Sequence, residues 1–226
     1  MCYSLIERQA LGLDDTHLVE FCATAKVHRD LVQPLSDLYE GLRPFGCKLA
    51  VASGFRSFER QLAIFNAKAS GERAILDDLG NVIDIRLLSK RETLWAILRF
   101  SALPGASRHH WGTDIDVYDK AAVSEGYRLQ LVASEYDCHG VFRVLGRALP
   151  ACLENCGFYR PYTQDKNGVA PEPWHLSCSE LAEPFAKALT KELLSEQLAQ
   201  TDILLKSEIL NNIDEIYRRF VAVGAS

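Results

Sequence analysis

The spacing of hydrophobic residues changes several times along the chain, and each change marks an element. The stretch from about Thr16 to Arg43 predicts a helical region, with Pro34 at a helix start or a kink. CKLAVAS, Cys47 to Ser53, is a short apolar run closed by Gly54 and predicts a buried strand. SFERQLAIFNAKA spaces its apolar residues by three and four, which predicts a helix from Ser57. SKRETLWAILRF opens with a capping box, Ser89 with Glu92, and predicts a helix to Phe100.

Past Gly112 the period falls to two. Asp114, Asp116 and Tyr118 alternate with Ile115 and Val117, the pattern of a strand with one buried face. RLQLV, Arg128 to Val132, predicts a further strand, and GVFRVLGRALPACLENCGF a helix broken near Pro150 and stopped by Gly157. GFYRPY and the start of WHLS predict strands on either side of the loop TQDKNGVAPEP. From Ser177, which forms a second capping box with Glu180, helical spacing runs to about Ala199. Thr201 or Asp202 then caps a final helix carrying Ile203, Leu210, Ile213, Tyr217 and Phe220. This arm is amphipathic, so it packs on its own domain. The same face could instead form a dimer, and the sequence leaves the oligomeric state open.

Composition narrows the function classes. The 226 residues suit one sizeable domain, or a domain with an appendage, able to bury a full core. With 48% hydrophobic and 24% charged residues, the balance is that of an ordinary soluble globular protein. The formal net charge is −5 and there is no basic run, so a nucleic-acid role has no support. No stretch approaches the roughly 18 consecutive apolar residues of a membrane span. MCYSLIERQALGLDD lacks the apolar core of an export signal, and the seven cysteines include no CxxC pair. Both features carry the expectation of reduced thiols in a cytoplasm. Cys152 and Cys156, one helical turn apart, could touch a metal, but buried packing is the better reading.

Two stretches carry candidate chemistry: SRHHWGTDID, Ser107 to Asp116, and EPWH, Glu172 to His175. A catalytic zinc site needs three nitrogen or oxygen ligands and one open position. His109 and His110 offer imidazoles just before a glycine turn, and the strand that leaves the turn offers Asp114 or Asp116 on one side. His175 could complete the set from a neighbouring strand, with Glu172 close enough to act as a base. There is no helical HExxH, so any such site is assembled from separate strands. The pattern alone leaves Asp114 and Asp116 as competitors, and a surface polar turn as the simpler account.

The two stretches resemble the SxHxxGxAxD and ExWH signatures of the LAS metallopeptidases, named for lysostaphin, D-alanyl-D-alanine carboxypeptidase and sonic hedgehog. SGFRSFERQ, Ser53 to Gln61, is similar to the SGYRSxxxQ segment of the VanY-like D,D-carboxypeptidase branch. The three motifs occur in family order over roughly residues 45 to 178. The resemblance implies an α+β fold: a small, mainly antiparallel sheet with packed helices and a zinc cleft, to which the helical spacing adds a C-terminal helical arm. The expected division is a metallopeptidase domain with an N-terminal helical segment over residues 1–184 and a helical extension packed on it over 185–226; the residues before about 26 and the arm lie outside the resemblance.

By the same resemblance His109, Asp116 and His175 hold Zn2+, zinc-bound water is the nucleophile, and Glu172 is the general base. Arg56 serves the substrate carbonyl or carboxylate. Ser107, Ser57, Gln61 and Trp174 lie on the substrate side, and His110 is structural. Asp114 departs from the pattern, standing where the family usually has alanine; it places an extra carboxylate near substrate or holds a ligand histidine. The implied activity is hydrolysis of D-Ala-D-Ala termini of peptidoglycan precursors or fragments, so the partner is a peptide ending in D-amino acids. The alternatives are an endopeptidase of the same family and a zinc-containing binding module without hydrolysis.

Overall fold

The computed structural model describes residues 3–23 and 25–222. Ser4 and Glu7 cap each other's backbone and open helix α1 (Leu5–Ala10). The next stretch differs from the helical expectation for Thr16–Arg43. Strand β1 (Leu18–Cys22) pairs antiparallel with β2 (Ala25–His28), and α2 (Val32–Leu42) follows. Burial in AKVH alternates, with Ala25 and Val27 buried and Lys26 and His28 less so, which is a strand period. Pro34 lies in the first turn of α2, where no backbone N–H is needed.

The apolar run gives β3 (Leu49–Ser53), and Ser57 caps α3 (Phe58–Ala69) by accepting from the Arg60 N–H. A short ribbon, β4 (Ile75–Leu76) with β5 (Val82–Ile83), leads to α4 (Lys90–Phe100), capped by the Ser89–Glu92 box. Strand β6 (Asp114–Asp119) is buried on both faces, not one. RLQLV forms no strand. Its backbone is served by a side chain instead: the Glu135 carboxylate accepts from the N–H groups of Gln130 and Val132 and from the Tyr127 hydroxyl.

Helix α5 (Arg143–Leu153) runs through Pro150 without breaking, because Pro150 is on its exposed side, where water can serve the carbonyl left over. Then come β7 (Phe158–Tyr159), β8 (His175–Cys178) and α6 (Ser179–Ala188). The helical run expected from Ser177 to Ala199 is divided. Ser177 stays in β8, and Thr190 accepts from the Leu193 N–H to start α7 (Lys191–Gln200). The last helix begins at Lys206, not at Thr201 or Asp202. Here α8 (Lys206–Asn211) is followed by α9 (Ile213–Ile216), which widens into a π turn over Tyr217–Val221.

Strands β3, β6, β8 and β7 lie side by side in that order, all antiparallel. The architecture is the α+β arrangement expected, a small antiparallel sheet with packed helices. One core joins the sheet to α2 and α5 through Leu35, Leu38, Val117, Phe142, Leu149 and Leu176. A second core joins α1, α3 and α4 to the C-terminal helices through Leu11, Phe65, Leu94, Leu194, Leu198 and Ile209. Each leucine sealed in these cores contributes about 1.5–3 kcal/mol over an exposed one. Among the described residues no helix is long and apolar enough to cross a membrane, and no disulfide links the cysteines. Cys152 packs in the sheet-side core with its thiol on the Gly41 carbonyl, and Cys2 lies outside the described residues.

Candidate metal centre

Sheet register brings two of the candidate residues together. Asp116 on β6 pairs with His175 on β8, and Asp114 pairs with Ser177 two residues along. Cross-strand partners project to one face within about 4.5–5.5 Å, so the strand pairing itself aims the Asp116 carboxylate and the His175 ring at each other. His109 arrives from a 3₁₀ turn, Arg108–Trp111, that ends on Gly112 with φ +68°. A Cβ at Gly112 would sit 2.4 Å from the Leu18 side chain and 2.8 Å from the His28 nitrogen, so only glycine can close the turn.

The two rings meet edge to face, centroids 4.9 Å apart. His109 Nδ1 donates to the Gly54 carbonyl at 2.9 Å, so its Nε2 presents a lone pair, 3.3 Å from Asp116 Oδ2. His175 is turned the other way. Its Nε2 donates to Asp114 Oδ1 at 2.9 Å, which leaves Nδ1 facing the acids of the cleft, 3.3 Å from Asp116 Oδ1 and 3.3 Å from Glu172 Oε2. His109, Asp116 and His175 are all buried, and one ligand atom from each falls within 4.8 Å of the others.

Do these residues fit a metal? Among the described residues five buried side-chain atoms lack a hydrogen-bond partner, and two of them are His175 Nδ1 and Asp116 Oδ1. Buried orphans of this kind cost stability unless something else satisfies them. Bonds of about 2.0–2.1 Å to a tetrahedral ion put neighbouring ligand atoms about 3.4 Å apart, close to the 3.3 Å separations of both Asp116 contacts. The charges agree. Burial opposes charge on His175, but Asp114, Asp116 and Glu172 outweigh it and push its pKa well above the usual histidine range, so the ring favours a cation at Nδ1, either a proton or a metal ion that displaces it. Burial likewise opposes charge on Asp116, and the two histidines overcome it, keeping its carboxyl far below the usual range. The pocket is built around a positive charge. Two imidazoles and a carboxylate suit zinc.

Asp114 does not reach the cleft. It is fully buried behind His175, where Arg108 Nε donates to it at 2.7 Å and the hydroxyls of Thr113 and Ser177 donate at 2.9 and 3.1 Å. Burial raises its pKa, but Arg108 and His175 prevail and bring it down to about 2. Arg108, equally enclosed, donates to Ser177 Oγ and the Tyr159 hydroxyl and lies 4.6 Å over the Trp111 ring.

A cleft of about 280 Å³ opens beside the centre, small for a ligand pocket. Arg56, Ser107, Glu172 and Trp174 line it. Gln61 is fully buried. Its side-chain nitrogen donates to the Ala102 carbonyl and its oxygen accepts from Arg56 at 2.9 Å, so it orients the guanidinium. Ser57 is occupied as the cap of α3 and does not line the cleft. His110 is sealed in, with Nδ1 on the Arg56 carbonyl and Nε2 accepting from the Gly105 N–H. The sequence reading missed Lys68, Arg73 and Tyr162, which also line the cleft. Helical spacing held a signal for one of them: Gln61, Ile64 and Lys68 share a face of α3.

The profile of the D-alanyl-D-alanine carboxypeptidase family VanY matches residues 24–179. The chain belongs to the VanY family. Among relatives, an uncharacterized protein of Haemophilus influenzae is 31% identical over 121 residues, covering 53% of this chain and 92% of that one. A D-alanyl-D-alanine carboxypeptidase of Enterococcus faecalis is 30% identical over 144 residues, which are 62% of this chain and 44% of that protein. The VanY-like fold recurs in a vancomycin resistance D,D-pentapeptidase solved with Zn(II), at TM-score 0.53 and 20% identity, covering 87% of this chain and 92% of that one. VanYB in complex with D-alanine-D-alanine gives TM-score 0.53 at 20% identity, over 83% of this chain and 91% of the other.

Proposed function

We propose that this VanY-family protein is a zinc-dependent D,D-carboxypeptidase or dipeptidase that hydrolyses peptides ending in D-Ala-D-Ala. One observation carries the reading: the lone pairs of His109 Nε2 and His175 Nδ1 converge with Asp116, while Glu172 stands next to them and lines the cleft. A purely structural metal is enclosed by four protein ligands, whereas a catalytic one has three and a free position. A binding module has no need of a carboxylate at that place. The Zn(II) and D-alanine-D-alanine complexes of the VanY relatives support the choice of metal and substrate.

His109, Asp116 and His175 would hold the ion, which supplies a Lewis acid for the scissile carbonyl and makes water at the same point more acidic. The remaining steps fall to the chain's own side chains. Glu172 takes the proton from the attacking water and returns it to the departing amine nitrogen. Arg56, its fork fixed by Gln61 and Ser53, stabilises the charge that develops on the carbonyl oxygen. Trp174, packed on Tyr136 with ring centroids 5.7 Å apart, gives the substrate chain a rigid apolar wall.

The test is to measure bound zinc and D-alanine release from an acylated D-Ala-D-Ala peptide for wild type and Glu172→Gln. The variant keeps one equivalent of zinc and loses about 10³-fold in kcat. Unchanged turnover in the variant removes Glu172 from its role and the mechanism with it.

A further inference from the structure

The cleft has an unusual charge pattern. Arg56, Lys68 and Arg73 all line it, and among the described residues none of the three is in an ion pair. Arg56 is committed by its hydrogen bonds to Gln61 and Ser53. Lys68 has no such commitment. It stands on the last turn of α3, seven residues beyond Gln61 on the same face, so about 10 Å farther along the helix axis. A half-buried ammonium beside two guanidiniums is unfavourable unless an anion joins them. The same burial, with Arg73 and Arg56, lowers the pKa of Lys68 to about 8, and Glu172 is the acid that offsets this in part.

An apolar part of the lining comes from the C-terminal helices. Ile216, Phe220 and Val221 face the cleft, and Phe220 stacks on Trp95 of α4 at 5.8 Å. These residues lie beyond the segment 24–179 matched by the family profile. A site that joins unpaired cations to a short apolar wall fits one small residue bearing a free carboxylate.

Taking the zinc peptidase reading as given, we propose that Lys68, with Arg73 beside it, binds the free carboxylate of the leaving residue, and that Phe220 and Val221 end the cleft there. The enzyme thereby removes one residue from a free C-terminus instead of cutting within a chain. Arg56 serves the reacting carbonyl and Lys68 the terminal carboxylate, so the two cations have separate tasks.

The experiment uses zinc-loaded Glu172→Gln protein, which binds without turning over, titrated with acylated D-Ala-D-Ala as free acid and as C-terminal amide. The acid binds at least tenfold more tightly than the amide. Adding Lys68→Met removes that preference by weakening the acid alone, and Lys68→Arg retains it. Equal binding of acid and amide with Lys68 present overturns the proposal, as does equal weakening of both by Lys68→Met. Wild-type turnover separates this from the broader reading. A tenfold acid preference in binding without D-alanine release sinks the hydrolase and keeps the subsite, whereas D-alanine release with acid and amide bound alike does the reverse.

Discussion

The two ends of the cleft are held by different means. At the sheet end each functional group is fixed by backbone register and buried hydrogen bonds: His109 by the Gly54 carbonyl, His175 by Asp114, and Asp116 by its pairing with β8. At the helical end the groups are long cations and apolar side chains on α3 and the C-terminal helices, with few polar ties. A centre that must converge on one ion within tenths of an ångström requires the first kind of support. A subsite that must accept a small flexible substrate group tolerates the second. Substitutions should therefore separate the ends cleanly, with metal affinity responding at one and substrate preference at the other.

Among substitutions that separate the two ends, the largest effect is expected at Asp114. Its carboxylate fixes which nitrogen of His175 carries the hydrogen and makes the other a better donor. In Asp114→Asn the amide oxygen can still accept from Nε2, but the charge is lost, and zinc affinity falls about 10- to 100-fold. Asp114→Ala adds a stability loss of about 3–5 kcal/mol, because Arg108 is left buried without its partner. Competition titration with a zinc chelator reads the first effect and urea unfolding the second. If the Asn protein binds zinc as tightly as wild type, Asp114 has no hold on the metal end.

Asp114 also marks how far the sequence could be read. The ligand candidates were readable because strands and turns repeat local rules: Gly112 forces the turn, and a period of two puts Asp114 and Asp116 on one side. Choosing between those two aspartates required the resemblance, since their spacing is symmetric about Ile115. Their depths differ through long-range partners, Arg108 and Ser177 for one and the two imidazoles for the other. The β1–β2 pair was hidden because a few residues of alternation lie beside a true helix. Lys68 and Arg73 were hidden for another reason. A cation on or just after a helix reads as an ordinary solvated residue until the C-terminal helices, some 150 positions later, help to line the same cleft.

The second prediction sharpens the comparison through pH. Lys68, lowered to about 8, is cationic below that value and neutral above it, while the substrate carboxylate stays ionised throughout. The groups acting on its ammonium are Arg73, Arg56 and Glu172. In the ratio of kcat/KM for the acid peptide to that for its amide, ionisations common to both substrates cancel. That ratio is greatest below pH 8 and falls about tenfold as the pH rises through it. The bound divalent ion moves the break lower, because a positive charge disfavours another. Lys68→Arg flattens the profile, since guanidinium does not titrate in this range. A ratio constant from pH 6 to 10 in wild type removes Lys68 from carboxylate recognition.

The smallest effect tests whether the C-terminal arm touches function or only completes a wall. Arg219 on the π turn donates through Nε to the Asn167 carbonyl at 2.7 Å, and through Nη1 to Glu215 at 2.7 Å. Asn167 has φ +60°, and a Cβ at Gly168 would lie 2.2 Å from the Arg219 carbonyl oxygen, so this loop rests directly on the arm. From the other side Arg99 holds Asp165 at 2.7 Å, and its own carbonyl accepts from the Ala170 N–H. The clamped loop then delivers Glu172, whose N–H bonds the Tyr162 carbonyl. Arg219→Ala releases one jaw of the clamp and leaves every ligand and Lys68 in place. The expected cost is about 1–2 kcal/mol, charged hydrogen bonds to a carbonyl discounted for partial exposure. Through the loop it lowers kcat about two- to threefold, with zinc content and the acid-to-amide ratio unchanged. Should the ratio change while kcat holds, the arm acts on the carboxylate subsite and not through the Glu172 loop, and the division between the two ends would have to be redrawn.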